Sequence, residues 1–302
     1  MRKCLGSVET NVVIANENAN WRACKAKVRQ ARNLLRRRGL RFASLVSQEA
    51  GHARELAAAA MEQKAETIVV IGGDGTLNEV VNGIFTSGHR HIPRVGIVPT
   101  GSSNDFSKSL GIPQDVRQAC ATVMRGCVRN VDVGRAGPHY FCSASCLGYF
   151  SDVAAVSHTM TGLRGSLRYV VAALTVVRKM NAGWNMEIST DGQIFRGEYA
   201  VLLVGNGPRF GGLTMLPGAA PDDGTLDCLL IEMAGKREAL QLIPLVYRRA
   251  MERHPKVTRF QAKSLSVRLD RPSRTCSDGE VRPALVRTID YTVLTRKLPV
   301  IC

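Results

Sequence analysis

The chain has 302 residues, 45% apolar and 22% charged, which excludes a disordered polypeptide and suits two domains or one large one. Forty-one Lys and Arg stand against 25 Asp and Glu, a net charge of +16 that favours anionic partners. Aromatic residues make up only 5% and form no stacking platform, so no nucleic-acid partner is expected.

Asn11–Ala15 is a short apolar run that predicts a strand. Between Arg22 and Arg41 there are nine Lys or Arg and no acid, while Trp21, Cys24, Val28, Ala31 and Leu35 recur at helical spacing. This predicts a helix over Arg22–Arg38 with one apolar stripe and a cationic outer face. Such a face is either merely solvated or attracts anionic lipid headgroups or nucleic acid, and the low aromatic content speaks against the last. Arg41–Val46 predicts a second strand, Ala50–Lys64 an alanine-rich helix and Thr67–Ile71 a third strand. Thr76–Thr86 predicts a helix, and Val95–Val98 a fourth strand stopped by Pro99. This β-α-β-α order implies a parallel sheet with its site at the strand carboxyl ends.

After about Asp132 the texture changes. Strand-like runs dominate at Tyr140–Cys146, Trp184–Thr190, Tyr199–Gly205, Leu226–Glu232, Ser264–Asp270 and Thr288–Leu294. Helical segments interrupt them at Ser166–Met180 and Lys236–Glu252. The expected fold is therefore an N-terminal parallel-sheet α/β domain over 1–132 and a C-terminal antiparallel, sandwich-like β domain over 133–286. The tail at about 287–302 can pack back on the first.

Residues 71–76 read Ile-Gly-Gly-Asp-Gly-Thr directly after the β-branched run Ile68-Val69-Val70. A strand that ends in glycines before a helix presents bare backbone N–H groups to an anion. Gly72, Gly73 and Gly75 let a phosphate approach without a Cβ in the way. Thr76 is placed to cap the following helix. Asp74 would repel phosphate unless a divalent cation lies between them. The bland alternative is an ordinary glycine-rich turn. A second polar loop, Pro99-Thr-Gly-Ser-Ser-Asn-Asp-Phe106, follows the fourth strand and offers Ser102, Ser103, Asn104 and Asp105. By itself it is a capped helix start.

Taken together, Gly72–Val80, the Pro99–Phe106 loop running on to Leu110-Gly-Ile-Pro113, and later segments resemble the diacylglycerol kinase and sphingosine kinase catalytic-domain superfamily, above all its soluble bacterial lipid kinases. The later segments are Gly205-Asn206, Gly211-Gly212, Pro217-x-Ala219, Asp222–Asp227 and Asp278-Gly279-Glu280. The resemblance implies a nucleotide-binding domain, a lipid-binding β domain and a cleft between them. It implies transfer of the ATP γ-phosphoryl group to a lipid hydroxyl with Mg²⁺, on a diacylglycerol-like acceptor or a related lipid alcohol. Ile71 to Leu77 would hold the ATP phosphates, with Ser102, Asn104 and Asp105 from the second loop and Ser47 at the end of the second strand. Asp278 or Glu280 would be the general base, and the residues do not decide between them. A hairpin turn at Asp278-Gly279 is the structural alternative. Asp223, with backbone oxygens of Ala220 and Thr225, would hold a structural Mg²⁺. Near the first strand the chain departs from the family: Ala15-Asn16-Glu17-Asn18-Ala19-Asn20 lacks the usual proline and glycine.

The nine Cys show no C-x-x-C and no zinc spacing, and Met1–Cys4 begins no signal peptide. With the longest apolar run, Tyr169–Val177, too short to cross a bilayer, a cytoplasmic protein peripheral to the inner membrane face is expected. A homodimer is compatible with this reading. His89 and His91 lack further metal ligands and read as surface residues. Phosphorylation of a soluble substrate such as NAD, or a non-catalytic nucleotide- or lipid-binding relative, are the rival readings.

Overall fold

The computed structural model describes residues 10–17, 21–160 and 165–302. Residues 18–20 of the Asn16 loop and the segment Met1–Cys4 lie outside the described residues. The chain divides into two compact units, residues 1–131 with 296–302, and residues 132–295.

The first unit alternates β1 (Asn11–Asn16), α1 (Trp21–Arg37), β2 (Ala43–Ser47), α2 (His52–Glu62), β3 (Thr67–Gly72), α3 (Asp74–Thr86) and β4 (Arg94–Pro99). Two further helices follow, α4 (Asp105–Ser109) and α5 (Val116–Arg125). β1 lies between β2 and β3, with β4 beyond β3, all parallel. The strands are continuous β-branched runs because both faces are covered. On one face Val28, Ala31 and Leu35 of α1 pack with Cys120 of α5 against Val13, Val69, Ile71 and Val98. The apolar stripe of α1 is thus spent on the sheet, while Lys25, Lys27, Arg29, Arg36, Arg37 and Arg38 are exposed.

Strand alternation turns Ile14, Ile68 and Val70 to the other face, where α2 and α3 pack. The helices approach so closely that a Cβ added at Gly83 would stand 2.3 Å from the Arg54 carbonyl oxygen. Glu79 of α3 fixes their mutual position. Its carboxylate accepts the N–H of Gly51 at 2.9 Å and of Ala53 at 3.0 Å, serving the orphan donors that begin α2. Glu79→Ala is expected to cost about 1–2 kcal/mol, the usual worth of a helix cap, read as a lowered urea midpoint at unchanged slope.

β5 (Val128–Ala136) leads into the second unit, which continues with β6 (His139–Phe141), β7 (Ala144–Gly148), α6 (Tyr149–Thr159), α7 (Gly165–Lys179), β8 (Trp184–Thr190) and β9 (Ile194–Gly205). The short hairpin β10 (Arg209–Phe210) and β11 (Leu213–Thr214) follows. Then come β12 (Leu226–Glu232), α8 (Lys236–Tyr247), β13 (Val257–Ala262), β14 (Ser264–Ser273), β15 (Thr275–Ser277), β16 (Glu280–Val281) and β17 (Val286–Ile301). Pairings within this unit are antiparallel.

β9 is the organising strand. Its first half pairs with β8, and its second half lies between β7 and β12. Leu202 and Val204 face a core shared with Ile188, Leu230, Val267 and Tyr291. Val201 and Leu203 face the opposite core, where helices α6 and α8 pack. The expected strand Tyr140–Cys146 is broken at Cys142-Ser143, whose N–H groups are engaged elsewhere. The last stretch of β17 belongs to the first unit, where Val300 pairs in parallel with Val95 of β4.

Candidate active site

In the first unit β3 runs straight into α3 through a single extended residue, Gly73. Asp74, Gly75 and Thr76 therefore form the first turn, whose N–H groups lack intrahelical partners and suit an anion. This places Thr76 inside the helix rather than at its cap, a correction to the sequence reading. Thr76 is buried, and its hydroxyl accepts the Asn16 amide N–H at 3.3 Å. A Cβ added at Gly72 would stand 2.6 Å from the Thr76 Cβ, so Gly72 is required by packing as well as by any ligand.

The two glycine loops meet backbone to backbone. A Cβ at Gly101 would stand 2.5 Å from the Gly73 Cα, and Thr100 N–H donates to the Gly72 carbonyl at 2.9 Å. Asp74 Oδ1 accepts the Phe106 N–H at 3.3 Å, tying the first loop to the start of α4. Asn104 adopts a left-handed backbone, φ 51°, and its Nδ2 donates to the Gly101 carbonyl and to Gln114 Oε1. Its Oδ1 is buried without a hydrogen-bond partner. Asp105 is buried, whereas Ser102 is exposed. Ile71 and Leu77 are buried wall residues. Ser47, at the end of β2, is buried and donates to the Glu49 carbonyl at 3.2 Å.

The carboxyl ends of β1, β3 and β4 thus converge through Asn16, Thr76 and Thr100, with Cys24 Sγ near both Asn16 and Thr100. Gly101→Ala drives its Cβ into the Gly73 backbone, an overlap that no rotamer relieves. It is expected to cost about 1–3 kcal/mol and to weaken anion binding at the paired loops, measurable as a lower melting temperature and a smaller upward shift on adding nucleotide.

In the second unit Asp278 and Gly279 join β15 to β16, with φ of 51° and 88°. Two positive φ values are what a two-residue hairpin turn requires. The Asp278 side chain points inward. Its Oδ2 accepts the Cys142 N–H at 2.8 Å, and its Oδ1 accepts the N–H of Ser143 at 2.7 Å and of Ala144 at 3.2 Å. Its own N–H donates to the Ala144 carbonyl. Glu280, two residues on, is exposed and makes no side-chain hydrogen bond among the described residues. The neighbouring Cys276 thiol is pushed up, first by its hydrogen bond with Cys146 and then by burial, so it stays protonated and is no nucleophile.

Asp223 is exposed at a turn whose Pro221 and Gly224 are buried. Asp223 Oδ1 accepts both the N–H and the hydroxyl of Thr225, at 3.0 and 2.9 Å. Gly224 N–H donates to Asp132 Oδ2 at 2.7 Å, and Asn206 Nδ2 donates to the Asp132 and Cys142 carbonyls. One carboxylate with carbonyls of Ala220 and Thr225 suits a hard, water-rich cation. No cluster of three His, Cys, Asp or Glu occurs among the described residues.

The sequence reading did not place one further feature. Helices α6, α7 and α8 and the β10–β11 hairpin enclose an apolar pocket of about 150 Å³ over the sheet. Tyr169, Ala173 and Val176 line it from α7, with Met180 just past the helix end, at helical spacing that is visible in the sequence once the pocket is known.

Residues 10–136 match the model of the diacylglycerol kinase catalytic domain, and residues 143–302 match the YegS C-terminal NAD kinase beta sandwich-like domain. A Staphylococcus saprophyticus diacylglycerol kinase is 31% identical over 248 residues, covering 82% of this chain and 80% of the relative. The chain belongs to the diacylglycerol kinase family. A Staphylococcus aureus diacylglycerol kinase is 28% identical over 270 residues, covering 89% of this chain and 85% of that one. Among solved structures, a Bacillus anthracis diacylglycerol kinase superposes with a TM-score of 0.74 at 22% identity. A second structure from the same organism does so at 0.80 and 24%, and each covers 96% of both chains. These two likenesses speak to the fold, which in this family member joins a parallel α/β unit to an antiparallel β unit.

Proposed function

We propose that the protein is an ATP-dependent lipid kinase that phosphorylates a hydroxyl of a diacylglycerol-like or related lipid alcohol. The observation that carries this is a pair of interlocked glycine loops in the same chain as a pocket lined almost wholly by apolar side chains. A soluble dinucleotide acceptor would have no use for that pocket.

Phosphoryl transfer is mainly positioning and charge stabilisation. The N–H groups of Asp74, Gly75 and Thr76 hold the phosphate chain, and the Gly73–Gly101 contact keeps both loops fixed. Ser102 offers a hydroxyl to the nucleotide, and Ser47 and Leu77 bound the same end of the sheet. Mg²⁺ bound with ATP supplies charge neutralisation, which makes the carboxylates of Asp74 and Asp105 compatible with a phosphate nearby. Asn104 Oδ1, an acceptor without a protein partner, suits the same hydrated cation. A second Mg²⁺ at Asp223, Ala220 and Thr225 would stiffen the turn that Asp132 already holds.

Of the two hairpin carboxylates, Glu280 is assigned as general base and Asp278 as the residue that positions it. Both Asp278 oxygens are committed to N–H donors, whereas Glu280 can accept the acceptor's hydroxyl proton without breaking a bond. No helix among the described residues is long and apolar enough to cross a membrane. We place the protein in the cytoplasm, at the inner membrane face. The cationic face of α1 would draw it to anionic lipid.

Incubation with labelled ATP, Mg²⁺ and a panel of lipid alcohols is expected to yield labelled lipid. No labelled lipid from any acceptor would sink the kinase reading, and labelled NADP formed without lipid would replace it.

A further inference from the structure

Helices α7 and α8 carry large apolar side chains that the core does not use. Leu167 and Leu174 on α7 are 57% and 41% exposed, and Leu240 and Tyr247 on α8 are 42% and 48% exposed. Each pair is spaced by seven residues and so shares one helix face. These four stand among seven such exposed apolar residues in the described chain, so more than half sit on two touching helices. α8 contains Leu240, Leu242, Ile243, Leu245 and Val246, yet none of its residues is buried. Leu242, Leu245 and Val246 are half-buried against the core, so the outward apolar face of α8 is Leu240 with Tyr247, and together with Leu167 and Leu174 it marks an interaction surface.

The surroundings of this face say what covers it. Arg178 and Lys179 end α7, Lys236 and Arg237 begin α8, and Arg248 and Arg249 follow it, all exposed. α7 contains no acidic residue. The acid of α8, Glu238, is occupied by the Gly235 N–H at 3.0 Å and by Lys256 Nζ at 3.3 Å. A second copy of this face would meet its own cations, which opposes self-association. An anionic lipid surface matches both the charge and the apolar side chains. The apolar pocket lies between the same two helices, and Tyr247 both lines it and reaches solvent. The outer face of α1 differs in kind. Its exposed positions include Lys25, Lys27, Arg29, Arg36 and Arg37, so it attracts through charge alone.

We infer that the α7–α8 face docks into an anionic bilayer. Leu167, Leu174, Leu240 and Tyr247 enter the acyl boundary, and the flanking Arg and Lys engage headgroups. A lipid then passes from the bilayer into the pocket between the two helices without crossing water. This rests on the lipid-kinase reading of the pocket.

The test uses the full chain and vesicles of phosphatidylglycerol with phosphatidylcholine. Leu167→Gln, Leu174→Gln and Leu240→Gln touch neither the pocket wall nor the hairpin. Combined, they are expected to lower vesicle affinity roughly a hundredfold, since each removes apolar area from the bilayer. Melting temperature should hold, and so should phosphorylation of a short-chain diacylglycerol dispersed below its micelle concentration. Phosphorylation of vesicle-borne diacylglycerol should fall. If the combined variant melts early, the single Leu167→Gln replaces it, with a several-fold loss expected.

Vesicle affinity within twofold of the parent overturns the inference. So does loss of all binding on charge reversal of Arg36, Arg37 and Arg38 alone. A shift from dimer to monomer in the leucine variant with unchanged vesicle affinity would make the face a protein interface instead. Absence of phosphoryl transfer by the parent in both formats would sink the kinase reading, while the vesicle series still judges the face.

Discussion

Glu280→Gln is expected to lower kcat by about 10²–10⁴-fold, the usual worth of a general base, with the KM for ATP and the melting temperature close to those of the parent. The expectation follows from how differently the two hairpin carboxylates are spent. Glu280 is exposed and makes no side-chain hydrogen bond among the described residues, so the isosteric amide breaks none. What it removes is the ability to take the proton that leaves the acceptor hydroxyl as the bond to phosphorus forms. Single-turnover measurement with saturating ATP and lipid separates this loss from product release. An active Glu280→Gln enzyme beside a folded but inactive Asp278→Asn enzyme would reverse the assignment.

Asp278→Ala should fail differently. It strands the N–H groups of Cys142, Ser143 and Ala144, each of which now bonds a carboxylate oxygen. Buried donors left without acceptors cost about 1–3 kcal/mol apiece, so a total of roughly 3–5 kcal/mol is expected once some water enters. For a domain of this size that is a fall in melting temperature on the order of 10 °C. The residue also stands at φ 51°, a conformation that Asp and Asn tolerate better than alanine. Asp278→Asn keeps the backbone preference. With its oxygen in the place of Oδ1 it also keeps two of the three acceptor contacts, while its NH₂ group faces the Cys142 N–H. About half the loss is expected. Equal melting temperatures for Asp278→Ala and the parent would show that the three hydrogen bonds are not what holds the hairpin.

The four parallel strands and the helices α1, α2 and α3 of the first unit were legible because each is a single apolar period, whereas α5, Val116–Arg125, was not read. Asn11–Asn16, Thr67–Gly72 and Arg94–Pro99 are continuous runs, as strands covered on both faces must be. The start of α3 was misplaced by two residues because Thr76 has the chemistry of a cap. Its burial against Gly72 and Asn16 depends on a neighbouring strand that local sequence does not reveal. The Asp278-Gly279 turn was visible as a turn, and its carboxylates were visible as candidates. Which one is spent on structure depended on three N–H groups more than 130 residues earlier. Those same donors interrupt the run Tyr140–Cys146, which local alternation reads as one strand. α6 and the apolar pocket were missed for a related reason. The pocket wall is drawn from three helices and a hairpin separated in sequence, and no one of them signals a cavity.

The parallel pairing of Val300 with Val95 has a consequence for how the protein is made. Residues 296–302 belong to the unit that begins the chain, and they cover one side of β4. During synthesis the first unit therefore emerges with a bare hydrogen-bonding edge, and it keeps that edge until the whole of the second unit has been translated. An open parallel edge is a template for pairing with other chains. A stop codon shortly before residue 296 would leave almost every residue of both units in place, yet release a protein prone to aggregate. Folding yield in the cell is thus expected to depend on residues 296–302 as much as on either core.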